Sequence, residues 1–249
     1  MKDKMSSRER NRRTNEKVDM ILKVLRILVG IMIVAIAGVL IFFGIRYRSA
    51  SKDYEDIRDK AYLIETPDSS DQIGQSIDED GETVNPIDFE YLCSINDSCV
   101  GYIEACGGDI SYPIVHGDDN SFYLKHNFNK ESSSSGCLFV RADAIEPFRD
   151  YVTYVYGHNM KDGSMFRSLL KYKDEEYLEE NRSFMIYTPT EVLKCEIYSV
   201  LVVDEANIPE PAAPEGWSIS DGERIVELIT CEYSGDNTRL VICAKILSL

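Results

Sequence analysis

Residues 27–45 carry no charge and almost no polarity across nineteen consecutive positions. In hydrocarbon such a run must satisfy its own backbone, and a helix rising about 1.5 Å per residue nearly matches a bilayer core of about 30 Å. A cleaved signal peptide is the competing reading. Its apolar region usually runs about 7–15 residues and ends at a small-residue cleavage site. Here the run is longer and Arg46-Tyr47-Arg48 follows it. The expectation is an uncleaved transmembrane helix that divides the chain.

Charge sets its orientation. Residues 1–26 hold nine Lys/Arg against four Asp/Glu, whereas the whole chain is −16, which leaves −21 for the remainder. The basic arm suits a cytoplasmic leaflet, so the N-terminus stays inside and residues 46–249 face out, although Arg46, Arg48 and Lys52 reduce the asymmetry. So acidic a body repels nucleic acid and anionic lipid surfaces.

Composition then divides the outer part. Residues 46–62 read as a helix outside the membrane, with Ile57, Ala61 and Tyr62 apolar and Pro67 marking its end. Residues 66–85 have the Asp/Ser/Gly/Glu content of a linker. Helical periodicity resumes after Pro86, with Asn85 as its cap. The expected organisation is a cytoplasmic tail at 1–26, a membrane helix at 27–45, an outer helix and acidic linker at 46–85, and a globular domain at 86–249. In this last part, alternating apolar runs at 100–103, 110–115, 137–140, 151–156, 184–187, 192–203, 224–230 and 239–247 predict eight strands separated by Gly, Asn, Asp or Pro. Only residues 164–172 and 174–181 read as helical there. The class is mainly β, a closed barrel or a sandwich.

Seven cysteines are present, at 93, 99, 106, 137, 195, 231 and 243. Cys137, Cys195 and Cys243 lie in apolar runs and read as core thiols. Cys93, Cys99 and Cys106, with His116, fit no closed zinc spacing, so neither metal nor other cofactor is expected; one disulfide among the three is compatible with their positions. Cys231 differs because it ends a strand beside the polar stretch 232–238. Arg239 opens the next strand, eight residues on, and its fork of donors suits a peptide carbonyl. His158 ends the run at 151–156 before a turn and a helix. His116 and His126 read as solvated loop residues. A thiol that cleaves a carbonyl compound needs a route to thiolate, a proton for the leaving group and a donor for the oxyanion. Cys231, His158 and Arg239 supply these in that order.

These residues carry a resemblance. Leu228-Ile229-Thr230-Cys231 is similar to the Thr-Leu-x-Thr-Cys signature of sortases, with Glu227 at its first position, and Arg239 falls where sortases place their arginine. Tyr156-Gly157-His158-Asn159-Met160 followed by Met165-Phe166, the strand Ser111-Tyr112-Pro113-Ile114-Val115, and Asp119-Asn120-Ser121-Phe122-Tyr123-Leu124 before His126 also match. The stretch 87–92 through 100–103 resembles the class B approach to the barrel. The resemblance covers residues 86–249.

It implies an eight-stranded sortase-type β-barrel with an N-terminal helical appendage, in the single-pass membrane setting of a Gram-positive cell envelope. The implied enzyme is a cysteine transpeptidase that cleaves a C-terminal sorting motif of surface proteins after threonine. Cys231 would be the nucleophile, His158 the general acid and base, and Arg239 the oxyanion donor, with Leu228, Thr230 and Asn159 at the substrate. The acceptor is an amine of a peptidoglycan precursor, or a pilin lysine in polymerising relatives. A membrane-anchored protease that hydrolyses, and a surface-binding module with a structural thiol, are the competing functions. Residues 204–222 are short and proline-bearing where class B members commonly insert a helix-bearing loop, which leaves substrate choice open.

Overall fold

The computed structural model describes residues 7–63, 76–77, 83–204, 206, 222–231 and 237–248. Most of the expected linker and of the segment 204–222, and the turn at 232–236, lie outside these. The chain divides into two units, Met1–Ser49 and Ala50–Leu249.

Helix α1 covers Ser7–Ala61. Within the first unit, Asn15–Val39 is long and apolar enough to cross a membrane, and none of it is buried. The expected span at 27–45 falls within α1; the side chains of residues 40–53 lie outside the described ones.

The second unit is built on strands. A two-residue pair, β1 (Ser76–Ile77) with β2 (Thr83–Val84), precedes helix α2 (Phe89–Ile95). Then come β3 (Cys99–Ala105), β4 (Ile110–His116), β5 (Leu138–Val140), β6 (Val152–Tyr156), helix α3 (Glu175–Glu180), β7 (Ser183–Tyr187), β8 (Val192–Asp204), β9 (Arg224–Cys231) and β10 (Thr238–Ser248). Strands β3 to β10 close into a barrel in the order β10-β8-β7-β3-β4-β5-β6-β9. The eight expected strands all form, each within two residues of its expected bounds, and the closed barrel rather than the sandwich is the architecture.

Closure removes sheet edges, so the strands need no covering partner along their backbones. Alternation sorts the side chains. Val226, Leu228, Leu240, Ile242 and Ala244 join the main core, while Ile229, Val241 and Cys243 pack on the opposite face with Tyr154, Tyr198 and Leu201. Most neighbours run antiparallel, but β4–β5 and β6–β9 are parallel.

Three local expectations change. Residues 164–172 form a 3-10 helix over Phe166–Lys173 rather than an α-helix. Helix α2 is capped by Asp88, whose side chain accepts from Tyr91 N–H at 2.8 Å, and not by Asn85. Asn85 instead accepts from Ile87 N–H and donates to the Thr188 carbonyl. His116 lies in β4 rather than in a loop.

The C-terminal turns of α1 belong to the barrel unit. Tyr54, Ile57 and Ala61 are buried in the main core. Asp88 N–H donates to Ala61 O at 2.7 Å, and the Tyr62 hydroxyl donates to Glu104. The outer helix is thus a structural part of the domain expected to start at 86.

Candidate active site

The arrangement around Cys231 follows from strand register. Cys231 is the last residue of β9, and its Cα partner on antiparallel β10 is Arg239. On its other side β9 runs parallel to β6, with Val152 opposite Ile225 and Tyr156 opposite Ile229. The ladder continues past Tyr156, because Gly157 N–H donates to Ile229 O at 3.1 Å. Carried two residues further, the offset of 73 that pairs Tyr156 with Ile229 would bring His158 level with Cys231. Residues directly opposite on paired strands share a face, with Cβ atoms about 4.5–5.5 Å apart in the antiparallel case. The register therefore pairs Cys231 with Arg239 and leads the chain just past β6, where His158 stands, to the same rim of the barrel.

A side-chain bond locks this alignment from the inward face. Thr230, 2% exposed, donates its hydroxyl to the Gly157 carbonyl at 2.7 Å. The residue before the cysteine thus grips the residue before the histidine. Gly157 itself tolerates no side chain, since a methyl there would sit 2.4 Å from Leu138 Cδ2 and 2.6 Å from Phe166 Cδ2.

His158 is half-buried and held at three points. Its Nε2 lies 2.8 Å from the Leu124 carbonyl, its own carbonyl accepts from Phe166 N–H at 2.9 Å, and its Cδ2 lies beside Gly136, 3.1 Å from where a Cβ there would sit. A carbonyl accepts only, so the Nε2 position carries a hydrogen and Nδ1 is the lone pair left for proton transfer in the neutral ring. Arg239 is half-buried, with one guanidinium N–H on the Thr238 carbonyl at 3.2 Å.

The remaining expected site residues sit behind this row. Leu228 is fully buried in the main core. Asn159, 5% exposed, accepts from the Arg167 guanidinium at 3.1 Å and bridges to Met165. Glu227 is buried on the opposite face from Leu228, with Tyr154 and Cys243 as its Cα partners on either side. Burial, and then the Glu227 carboxylate, push the Cys243 thiol well above its usual range.

Six cysteines, all but Cys231, are described as free thiols, and five of them are buried. No disulfide joins Cys93, Cys99 and Cys106. Burial raises the Cys106 thiol to about 11 and the Cys137 thiol to about 12. Buried thiols of that kind are poor nucleophiles. Of the other histidines, His126 stacks on Phe122 at 4.0 Å and His116 ends β4. Among the described residues no group of three or more His, Cys, Asp or Glu is arranged to hold a metal ion.

Sequence reasoning named the three aligned residues but not their supports: the Leu124 carbonyl, the Gly136 backbone and Thr230 as a strap. Backbone carbonyls leave no trace in residue identity. The left-handed φ of +60° at Gly136 is the kind of feature its glycine signals.

Comparison with known proteins places these features in a lineage. Residues 102–247 match the family model described as the Sortase domain. The chain is 28% identical over 238 residues to Sortase B of Listeria monocytogenes, covering 86% of this chain and 94% of that one. Among solved structures, sortase B from Bacillus anthracis in complex with AAEK2 superposes with a TM-score of 0.64 at 27% identity, over 82% of this chain and 98% of that one. A cysteine-to-serine mutant of Clostridium perfringens sortase B gives 0.61 at 29%, over 80% and 98%.

Proposed function

Because this chain belongs to the sortase family and to its class B group, we propose that it is a membrane-anchored cysteine transpeptidase with Cys231 as nucleophile, His158 as general acid and base, and Arg239 as oxyanion donor. The observation that supports this reading is the pairing of Cys231 with Arg239 on β9 and β10, together with a β6–β9 ladder that runs to Gly157, the residue before His158.

In the first step the Cys231 thiolate attacks the carbonyl carbon of a threonine in a C-terminal sorting motif. Negative charge moves to the carbonyl oxygen, where the Arg239 guanidinium stabilises it. As the tetrahedral intermediate collapses, the peptide C–N bond breaks, and protonated His158 gives its proton to the departing amine. The thioester so formed is resolved when an acceptor amine attacks it, His158 takes a proton from that amine, and Cys231 leaves as thiolate. The half-buried site and the hydrogen bond to Leu124 keep the ring oriented through both steps.

The substrates are surface proteins with a C-terminal sorting motif, and the acceptor is an amine of a cell-wall peptidoglycan precursor. Residues 27–45 anchor the enzyme in the cell membrane with residues 1–26 in the cytoplasm. A tethered catalyst meets membrane-held substrates at high effective concentration. Thr230 and Leu228 act through the strand end they support, and Asn159 through the turn after His158.

The full chain is incubated with a library of sorting peptides and its mass is read before and after addition of a small amine. A thioester adduct mapping to Cys231, lost in Cys231→Ala and discharged into an amide by the amine, is the expected result. An adduct on another cysteine, or hydrolysis that the amine does not divert, defeats the reading.

A further inference from the structure

The end of α1 reaches the histidine from two sides through one buried side chain. Tyr54, 7% exposed, donates its hydroxyl to the Gly136 carbonyl at 2.7 Å. Gly136 sits in the left-handed region, and a methyl there would lie 2.5 Å from Tyr123 O and 3.1 Å from His158 Cδ2. The imidazole therefore leaves no room for a side chain at this position. Beyond Gly136, Cys137 N–H donates to Tyr123 O at 2.9 Å, and the adjoining carbonyl, that of Leu124, is the one that holds His158 Nε2. The carbonyl that orients the ring and the backbone beside it thus lie on two segments joined by that hydrogen bond. Tyr54 is bonded to the second of them.

The second side runs through the ring of Tyr54. It packs edge-on against Tyr112 with centroids 5.3 Å apart. The Tyr112 hydroxyl accepts from Met165 N–H at 3.1 Å, and the next amide, Phe166 N–H, donates to the His158 carbonyl at 2.9 Å. Met165 has a φ of +57°, a costly conformation for a side-chain-bearing residue that persists only when its surroundings fix it. The Tyr112 hydroxyl is one such fixture.

We propose that Tyr54 is a positioning residue for His158, setting the ring through Gly136 and Leu124 on one face and through Tyr112 and Met165 on the other. The helix that leaves the membrane is then part of the catalytic apparatus rather than only its tether. Burial, and then the neighbouring Cys137 thiol, raise the Tyr54 hydroxyl well above its usual range, so it stays a hydrogen-bond donor at every pH at which the enzyme works. The inference rests on the reading of His158 as the acid and base.

The test is Tyr54→Phe in the detergent-solubilised full chain, which removes one oxygen and keeps the ring. Tyr187→Phe is the control. Tyr187 is also buried, its hydroxyl donates to Glu104 at 2.7 Å, and β7 lies diametrically across the barrel from β6. Nitrogen-15 spectra of labelled histidine, in chains where His116 and His126 are replaced by glutamine, report the His158 tautomer directly. Tyr54→Phe is expected to reduce the fraction with hydrogen on Nε2 and to displace the pH profile of transfer. It should also lower kcat about fivefold with KM unchanged, equivalent to about 1 kcal/mol, the net worth of one hydrogen bond. Both variants lose some thermal stability. If Tyr54→Phe leaves the His158 spectrum and kcat where Tyr187→Phe leaves them, Tyr54 only fills the core and the proposal falls. If His158→Ala proves as active as the unaltered chain, the acid and base role fails instead, and the spectrum alone decides whether Tyr54 sets the ring.

Discussion

Replacing Thr230 by valine probes the strap between the two strand ends with little change of shape. The two side chains are nearly isosteric, so the buried packing around position 230 is kept and the loss is confined to the 2.7 Å bond to Gly157 O. A typical intramolecular hydrogen bond contributes about 0.5–1.5 kcal/mol net, and a buried acceptor stripped of its donor costs about 1–3 kcal/mol. Gly157 is only half-buried, so water recovers part of that. We expect a destabilisation of about 1–2 kcal/mol. For a domain of this size that is a fall in Tm of roughly 2–8 °C. Function should suffer more than stability, because β6 and β9 part at the rim where β9 ends in Cys231 and His158 follows β6. The assay pairs a thermal melt with single-turnover formation of the acyl-enzyme, which reads the chemical step alone. A valine variant as stable as the parent and equally fast in acylation would refute the reasoning, since nothing else at Thr230 bonds the two strand ends.

Gly157→Ala should be worse than its small size suggests. The new methyl meets Leu138 and Phe166, both wholly buried with no room to turn aside, and overpacking of this kind costs about 1–3 kcal/mol; a melt and the acylation rate together check it, and unchanged values would contradict the close approach. At the opposite rim, Glu191 accepts from Arg224 and Arg149, each at 3.0 Å, and the Arg224 contact leads in holding its carboxyl below the usual range. A depressed folded pKa adds stability above the unfolded value of about 4.3 and loses it as pH falls through the folded one. Glu191→Gln should therefore lower the unfolding free energy at pH 6–7, by about 1 kcal/mol at most for so exposed a group, and make no difference near pH 3. A penalty that persists in acid would show that packing, not charge, is responsible.

The strands were legible because barrel strands alternate, and β-branched runs bounded by turn residues announce that pattern locally. The aligned row was legible because each member stands at a strand end beside polar sequence. What resisted reading was non-local. Asn85 is as good a cap as Asp88, but Ile87 pairs with Tyr62 across from the end of α1, which delays the helix start. The stretch after Gly163 buries Phe166, Leu169 and Tyr172, a spacing of three that suits a 3-10 helix, in which residues i and i+3 eclipse. Tyr54, Ile57 and Ala61, spaced as one face of a helix, foreshadowed burial of the end of α1. The charged residues between them carry no sign of the partner that buries this face. No residue pattern announces that a carbonyl of Leu124 will orient a histidine 34 positions away.

The parallel pairing of β6 with β9 separates two kinds of evolutionary freedom. Both strands start at one rim, where Arg224, Glu191 and Arg149 form an ion-pair network with the Phe148 carbonyl, and both finish at the other, where His158 and Cys231 stand. Segments that follow the strands can lengthen or change composition without shifting the alignment of the reacting groups, because that alignment is set upstream, within the ladder itself. Selection for robustness can act on the starting rim while selection for new peptide targets acts on the finishing rim. Neither then has to trade against the other, and a barrel of this topology can diversify its clients while its melting behaviour stays nearly constant.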